Sequence, residues 1–310
     1  MKGVSWMKRA LPAMALCFLM FLSACSTPAA PLIAKTNVQK ISADDFHTAA
    51  VKEDGTVVVV GQDTYYAQSD VSSWTDIISI SSDTYHIVGL KKDGTVVAVG
   101  DNTYKQCDVS SWTDIIAISN GWYSTMGLKK DGTVVVAGRN DGALISGSTS
   151  WTEIIAIDVE YMTSVGVEKD GTSVTSGVGA ETFRQYMPGD VVEVSFGSAD
   201  AFCLKKDGTV HMVGYQWDYQ SEVEEWRDIV TISAGYDHVV GIMSDGTVVS
   251  AGDNTDGQCE VESWKDIVAI CAGGTHTVGL KEDGTVVAVG SNNDNQCDVS
   301  SWKNIALPEK

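Results

Sequence analysis

The sequence predicts an all-β chain folded as a seven-bladed β-propeller, built from seven repeats of about 38 residues. Three observations carry that expectation. The tripeptide Asp-Gly-Thr recurs seven times, beginning at Asp54, Asp93, Asp131, Asp170, Asp207, Asp245 and Asp283, at a period typical of stacked arrays and propellers. Each copy lies between two runs rich in valine and isoleucine, and an Asp-Gly pair there reads as a two-residue hairpin turn with positive φ. Finally, a sheet of a few short strands cannot bury both faces alone; seven packed radially can, and the ring removes most free edges.

In chain order, residues 1–24 stand apart from the repeats. Lys2, Lys8 and Arg9 precede an apolar run from Ala10 to Phe21, too short to span a bilayer comfortably as a helix. A basic start, a short apolar segment and small residues form an export signal. The segment ends in Leu22-Ser23-Ala24-Cys25, which resembles the lipobox of bacterial lipoproteins. That resemblance implies cleavage before Cys25, a diacylglycerol on its sulfur, and an exported protein held at the cell membrane facing away from the cytoplasm. Residues 25–36 contain Pro28 and Pro31 without apolar periodicity and read as a tether. The propeller is expected over 37–310.

Each repeat parses into four strand-like pieces. The first is Asp-Ile-Ile-Ala-Ile, as at Asp114 to Ile118, and a short turn leads to the second, as at His86 to Lys91. The Asp-Gly turn leads to the third, as at Thr95 to Val99, and a longer loop leads to a short piece ending in tryptophan. A glycine stands seven residues after each turn aspartate, from Gly61 to Gly290, which suggests a backbone conformation or a close approach that a Cβ would forbid. Repeat four departs most, with Pro188 where tryptophan is expected and Ala180 to Met187 replacing the usual loop. Both Asn37-Val38 and Asn304-Ile305 match the start of the first piece, so either could complete the first blade.

The order of marks is histidine, Asp-Gly-Thr, a Gly-x-Asn loop, then Trp-x-Asp-Ile. It resembles the repeats of the regulator of chromosome condensation family, over residues 37–306. The rival tryptophan-aspartate repeat has its hallmark dipeptide here once, at Trp217-Asp218, off the register. The resemblance implies the fold and says little of function, because sites are grafted onto folds. It implies two pointed readings: guanine nucleotide exchange on a small GTPase, as in eukaryotic members, or inhibition of an extracellular enzyme, as in the propeller-type β-lactamase inhibitory protein.

Charge narrows the partners. The chain carries a formal charge of −20. Loss of residues 1–24 would take three positive charges and no negative ones, leaving −23. Such a surface repels phosphate backbones, which argues against nucleic acid. Of seven cysteines, Cys107, Cys259 and Cys297 share one register five residues before the repeat tryptophan. Equivalent positions in separate blades lie apart, so these are expected as buried small thiols rather than disulfides.

His47, His86, His238 and His276 share a register seven residues before their turns. Seven-fold placement holds them apart, so a hydrogen-bonding role is expected and a metal site is not. The turn aspartates read as turn formers rather than acids or bases. No nucleotide, hydrolase or metalloprotease motif occurs, so neither an enzyme nor a cofactor is expected. A catalytic channel would need carboxylates converging on one another. Trp74, Trp112, Trp151, Trp226, Trp264 and Trp302 recur in register and are assigned to packing between blades.

Aromatics outside that register lie in loops that open on one face. The first turns hold Phe46, Tyr85, Trp122, Tyr123, Tyr161 and Tyr236. The later loops hold Tyr65, Tyr66, Tyr104, Phe183, Tyr186, Tyr215, Trp217 and Tyr219. Loop aromatics gathered on one face have the composition of a binding surface. Trp122, Tyr123, Tyr161, Tyr104, Tyr215, Trp217, Tyr219 and Tyr236 are the candidates for contacting a protein or glycan. Lysines cluster beside the Asp-Gly turns on the opposite face. The expectation is a monomeric, non-enzymatic, lipid-anchored propeller presenting its aromatic face to a partner.

Overall fold

In a computed structural model the described residues are 38–62, 70–139, 147–161, 163–214 and 220–308. The expected signal segment, Cys25 and the tether lie outside them. The chain forms seven three-stranded antiparallel sheets, each from three strands consecutive in sequence. Blade 2 shows the plan: inner strand Ile77–Asp83, middle strand His86–Lys91, outer strand Val96–Gly100. The inner strands pack against one another in succession around the ring, and the seventh, Ile267–Ala272, packs against the first, Ile41–Ala43. The fold is an all-β, seven-bladed β-propeller.

The fourth strand-like piece is not a strand. Val71 to Trp74 and its equivalents are turns, in which Trp74 N–H donates to Val71 O at 2.9 Å. That turn swings the indole inward, and all six tryptophans are buried. Five of them lie over a glycine of the middle strand in the blade that follows, and Trp302 shares its core with Ala50, which holds that position in blade 1. A Cβ built on Gly89 would stand 2.8 Å from Trp74 Cζ3, and one on Gly127 would stand 2.9 Å from Trp112 Cζ3. Repeat four compensates for its missing tryptophan. Ala180–Tyr186 there folds as a short helix, and Met187 Sδ lies 3.2 Å from the thiol of Cys203, which replaces the glycine. Two soft, polarizable side chains fill the space an indole fills elsewhere.

The Asp-Gly turn also differs from the expected two-residue form. Lys52 N–H donates to Thr56 O at 2.8 Å and Gly55 N–H to Lys52 O at 2.9 Å, closing a three-residue loop. Only the glycine takes positive φ, at 78° for Gly55, as in a type I turn with a bulge. The aspartate stays in ordinary space, and its Oδ1 accepts Thr56 N–H at 3.0 Å and Thr56 Oγ1–H at 2.6 Å. Those bonds favour the ionised form and hold Asp54 below the usual carboxylate range. At the end of the outer strand, Gly100 has φ 118°, and a Cβ there would lie 2.4 Å from Tyr85 O. Conformation and close approach both require glycine.

Both chain ends complete blade 1. Ile305 pairs with Lys52, and Ala306 N–H donates to Val51 O at 2.8 Å. Ile41 to Ala43 pair with Ala50 to Thr48. The inner strands of blades 2 to 7 carry a register shift near their start, as between Ile77 and Ser79; in blade 1 the chain break falls there.

An inner belt of hydrogen bonds joins every blade to the next. Ser42 Oγ accepts Ser82 N–H at 2.8 Å, Ser81 accepts Asn120 N–H at 3.2 Å, and Ser119 accepts Val159 N–H at 3.0 Å. Asp158 accepts Phe196 N–H at 2.9 Å, Ser195 accepts Ala234 N–H at 3.0 Å, and Ser233 accepts Ala272 N–H at 2.9 Å. Cys271 closes the circle on Ala43. Each bond satisfies a main-chain donor that faces the channel and has no strand beside it.

Candidate functional site

The register histidines form a second set of links between blades. Thr125 Oγ1–H donates to Gln106 O at 2.7 Å, so it accepts from His86 Nε2 at 2.8 Å. His238 meets Thr277 and His276 meets Thr48 in the same way, each at 2.9 Å. Burial lowers all three imidazoles from 6.5 to about 4, so they are neutral near pH 7. Blade 2 has Ile87 in place of that threonine, and His47 instead lies 3.2 Å from Asp44 Oδ1.

The three register cysteines are partly exposed rather than buried, and polar in their contacts. The thiols of Cys107, Cys259 and Cys297 donate to the carbonyls of Asp101, Asp253 and Ser291 at 3.2, 3.3 and 3.2 Å. Desolvation raises all three, Cys107 to about 12, which leaves little thiolate to react.

On the face opposite the Asp-Gly turns, blades 2 to 4 build one aromatic patch. Tyr85 stacks on Tyr123 with centroids 5.7 Å apart and planes 11° apart. Tyr104 meets Tyr123 edge-on at 5.1 Å, and Trp122 meets Tyr161 edge-on at 4.8 Å. The guanidinium of Arg139 lies 5.2 Å from the Tyr104 centroid and 5.7 Å from that of Tyr123, within cation–π range. Tyr104 and Tyr161 are 40% and 46% exposed. Tyr161 has φ 46°, uncommon for a bulky residue.

The structure thus brings Tyr104, Trp122, Tyr123 and Tyr161 together, with Tyr85. Tyr215, Trp217 and Tyr219, with Tyr65 and Tyr66, lie outside the described residues. Phe183 turns inward, edge-on to Phe196 at 5.3 Å, while Tyr186 is exposed. Tyr236 is not on the patch. Its hydroxyl donates to Asp45 Oδ2 at 2.5 Å, beside Thr84 Oγ1–H at 2.7 Å.

Tyr236 belongs to the channel mouth, which begins where the patch ends, at Trp122. The first turn of blades 3, 5, 6 and 7 has glycine at one register: Gly121, Gly197, Gly235 and Gly273. Blades 1, 2 and 4 have Asp44, Asp83 and Glu160 there, and Asp45 follows Asp44. Desolvation raises Asp45, Asp83 and Glu160, Glu160 to about 8, and the charge of Glu160 lifts Asp83 further. Among the described residues none of these carboxylates hydrogen-bonds to another, and no lysine or arginine pairs with them. The mouth encloses about 60 Å³, against roughly 300–1,000 Å³ for ordinary small-molecule sites. The other end of the channel holds about 190 Å³ beside Lys40, whose Nζ donates to Ile78 O at 2.6 Å. Among the described residues no cluster of His, Cys, Asp or Glu is arranged to hold a metal. Arg139 and the acids escaped the sequence reading, although the three acids were visible as departures from a glycine register.

Comparison with known proteins agrees with this architecture. The family model of the regulator of chromosome condensation (RCC1) repeat matches residues 229–258 and 267–296. Those two segments are repeats of that kind, and they lie in the last two of the seven blades. Among solved structures the repeat propeller is similar to the ectodomain of the Physcomitrella patens receptor kinase CR4, at 16% identity and TM-score 0.66 over 82% of this chain and 74% of that one. The CRINKLY WD40 ectodomain of the Arabidopsis thaliana receptor kinase ACR4 gives 15% and 0.65 over 81% and 97%. Prp20p from Saccharomyces cerevisiae, described with its binding properties to Gsp1p and histones, gives 13% and 0.60 over 89% and 88%. Likeness at such identities concerns the fold alone. No curated protein matches the chain.

Proposed function

We propose that this repeat propeller is a non-enzymatic, lipid-anchored envelope protein that binds a protein partner through the patch of Tyr85, Tyr104, Trp122, Tyr123 and Tyr161. The observation that carries the reading is the patch itself. Its residues differ from the repeat consensus, they meet one another rather than the core, and Tyr104 and Tyr161 remain open to solvent. Large rings held rigid by their neighbours supply binding area at little cost in conformational entropy. The small channel mouth argues for a surface that docks macromolecules over a substrate pocket. Anchoring rests on the lipobox-like Leu22 to Cys25. It predicts that Cys25 incorporates labelled acyl chains in a bacterial host and that Cys25→Ser releases the protein from the membrane. Docking is tested by cross-linked capture from envelope extracts, comparing the wild type with a Trp122→Ala/Tyr161→Ala chain of unchanged melting temperature. The wild type should retain a partner that the double variant loses; equal capture would remove the patch from the reading.

A further inference from the structure

We propose that the acidic channel mouth, lined on the patch side by Trp122, receives a lysine or arginine side chain of the protein docked on the aromatic patch. The inference rests on the docking reading above and names the chemistry that the partner must offer.

Three observations converge. The patch and the mouth are continuous, because Trp122 belongs to both: its indole meets Tyr161, and it lines the cavity with Asp83 and Glu160. Next, the mouth gathers the carboxyl groups of Asp44, Asp45, Asp83 and Glu160, and among the described residues no lysine or arginine pairs with them, although His47 lies 3.2 Å from Asp44 Oδ1. Asp44 is 7% exposed, its Oδ1 accepts the main-chain N–H groups of Phe46 and His47, and its buried Oδ2 has no hydrogen-bond partner. Such an atom is costly unless a partner arrives. Third, the volume is about 60 Å³, which suits the tip of one side chain. Arg139 occupies the far end of the patch at Tyr104 and Tyr123, so an incoming cation is steered away from there and toward the mouth. A cation between the carboxylates and the Trp122 indole would gain charge-assisted hydrogen bonds and cation–π attraction together. It would also favour the ionised carboxylates that burial now disfavours.

The test titrates the full chain in detergent with a short peptide, acetyl-Tyr-Leu-Arg-Leu-Tyr-amide, and with its citrulline counterpart, which keeps the shape and removes the charge. Indole fluorescence and calorimetry report binding. The arginine peptide should bind about tenfold more tightly, the size of one charge-assisted hydrogen bond. Glu160→Gln and Asp83→Asn should abolish that preference without changing citrulline-peptide affinity or lowering the melting temperature. Equal affinity for the two peptides, no measurable binding of either, or a preference that survives both substitutions overturns the inference. So does equally tight binding of free propylguanidinium, which would make the mouth a small-cation site instead. If Trp122→Ala still abolishes capture of the natural partner, the docking reading stands in each of those cases.

Discussion

Cys271 Sγ accepts the main-chain N–H of Ala43 at 3.1 Å, joining residues 228 apart in sequence. It is the seventh bond of the inner belt and the one that spans the junction between the two chain ends. Serine fills the equivalent place in five blades and aspartate in one. A sulfur is a weaker acceptor than a hydroxyl, yet the buried donor it serves is the same. Replacement of Cys271 by serine should therefore preserve or raise stability. Cys271→Ala leaves the Ala43 N–H unsatisfied and should lower it by about 1–3 kcal/mol. Urea unfolding of both variants distinguishes them; an alanine variant as stable as the serine one would show that the belt contributes nothing at the junction.

The tryptophan–glycine contact makes a second prediction. Gly127 lies under Trp112 so closely that an added methyl would stand 2.9 Å from Cζ3. Gly127→Ala should destabilise by about 1–3 kcal/mol, the usual range for overpacking a tight core. Cys203→Ala, in the blade that lacks the indole, errs the other way and leaves a void beside Met187. Trp112→Phe in the Gly127→Ala background should recover part of the loss, because the smaller ring vacates the space. If the double variant unfolds at lower urea than either single one, direct contact is not the cause.

The fold was legible because its determinants recur: the Asp-Gly-Thr turns, the strand-end glycines and the tryptophans each serve one geometry seven or six times over. The turn type was not, since Asp54 and Gly55 suit a two-residue turn equally well and only Lys52 pairing with Thr56 decides. The split of blade 1 between Ile305 and Ile41 was visible as a surplus, but the register shift that accommodates a chain break is a property of pairing. On the binding face, Tyr104, Trp122, Tyr123 and Tyr161 could be read as loop aromatics on one side. Their convergence with Arg139 depends on the neighbouring blades, so no single repeat contains it.

Direction along the strands bears on how an anchored molecule would sit. Inner strands begin beside the Asp-Gly turns, where Ile77 N–H donates to Gly55 O at 3.0 Å. Val38, the first described residue, therefore starts on the lysine-bearing face, opposite the patch. A lipid on Cys25 with a short tether would hold Lys92 and Lys206 toward an anionic bilayer and leave Lys105, next to Tyr104, facing away. Amine labelling of the lipidated protein on anionic vesicles should protect Lys92 and Lys206 severalfold relative to Lys105, and high salt should weaken the protection. Uniform labelling of the three would discard this orientation.

Acid and alkali should weaken the propeller for different reasons. Burial holds His86, His238 and His276 at about 4 when folded, against 6.5 ordinarily. Between those values the unfolded chain binds more protons than the folded one, so stability is full above about 6.5 and falls as pH drops toward 4. Glu160 acts in the opposite sense. Folding raises it from 4.5 to about 8, so over that window the folded chain holds the extra proton and stability declines as pH rises. Asp83, raised by burial and by Glu160, adds to the same decline. Thermal melts from pH 4 to 9 should trace both limbs. Glu160→Gln should melt higher than the wild type at pH 8 and converge with it near pH 4.5, because glutamine removes the charge that burial opposes. A variant less stable than the wild type at pH 8 would mean that the Glu160 carboxylate is already matched by a positive group, and with it the case for an unfilled cation subsite at the channel mouth would fall.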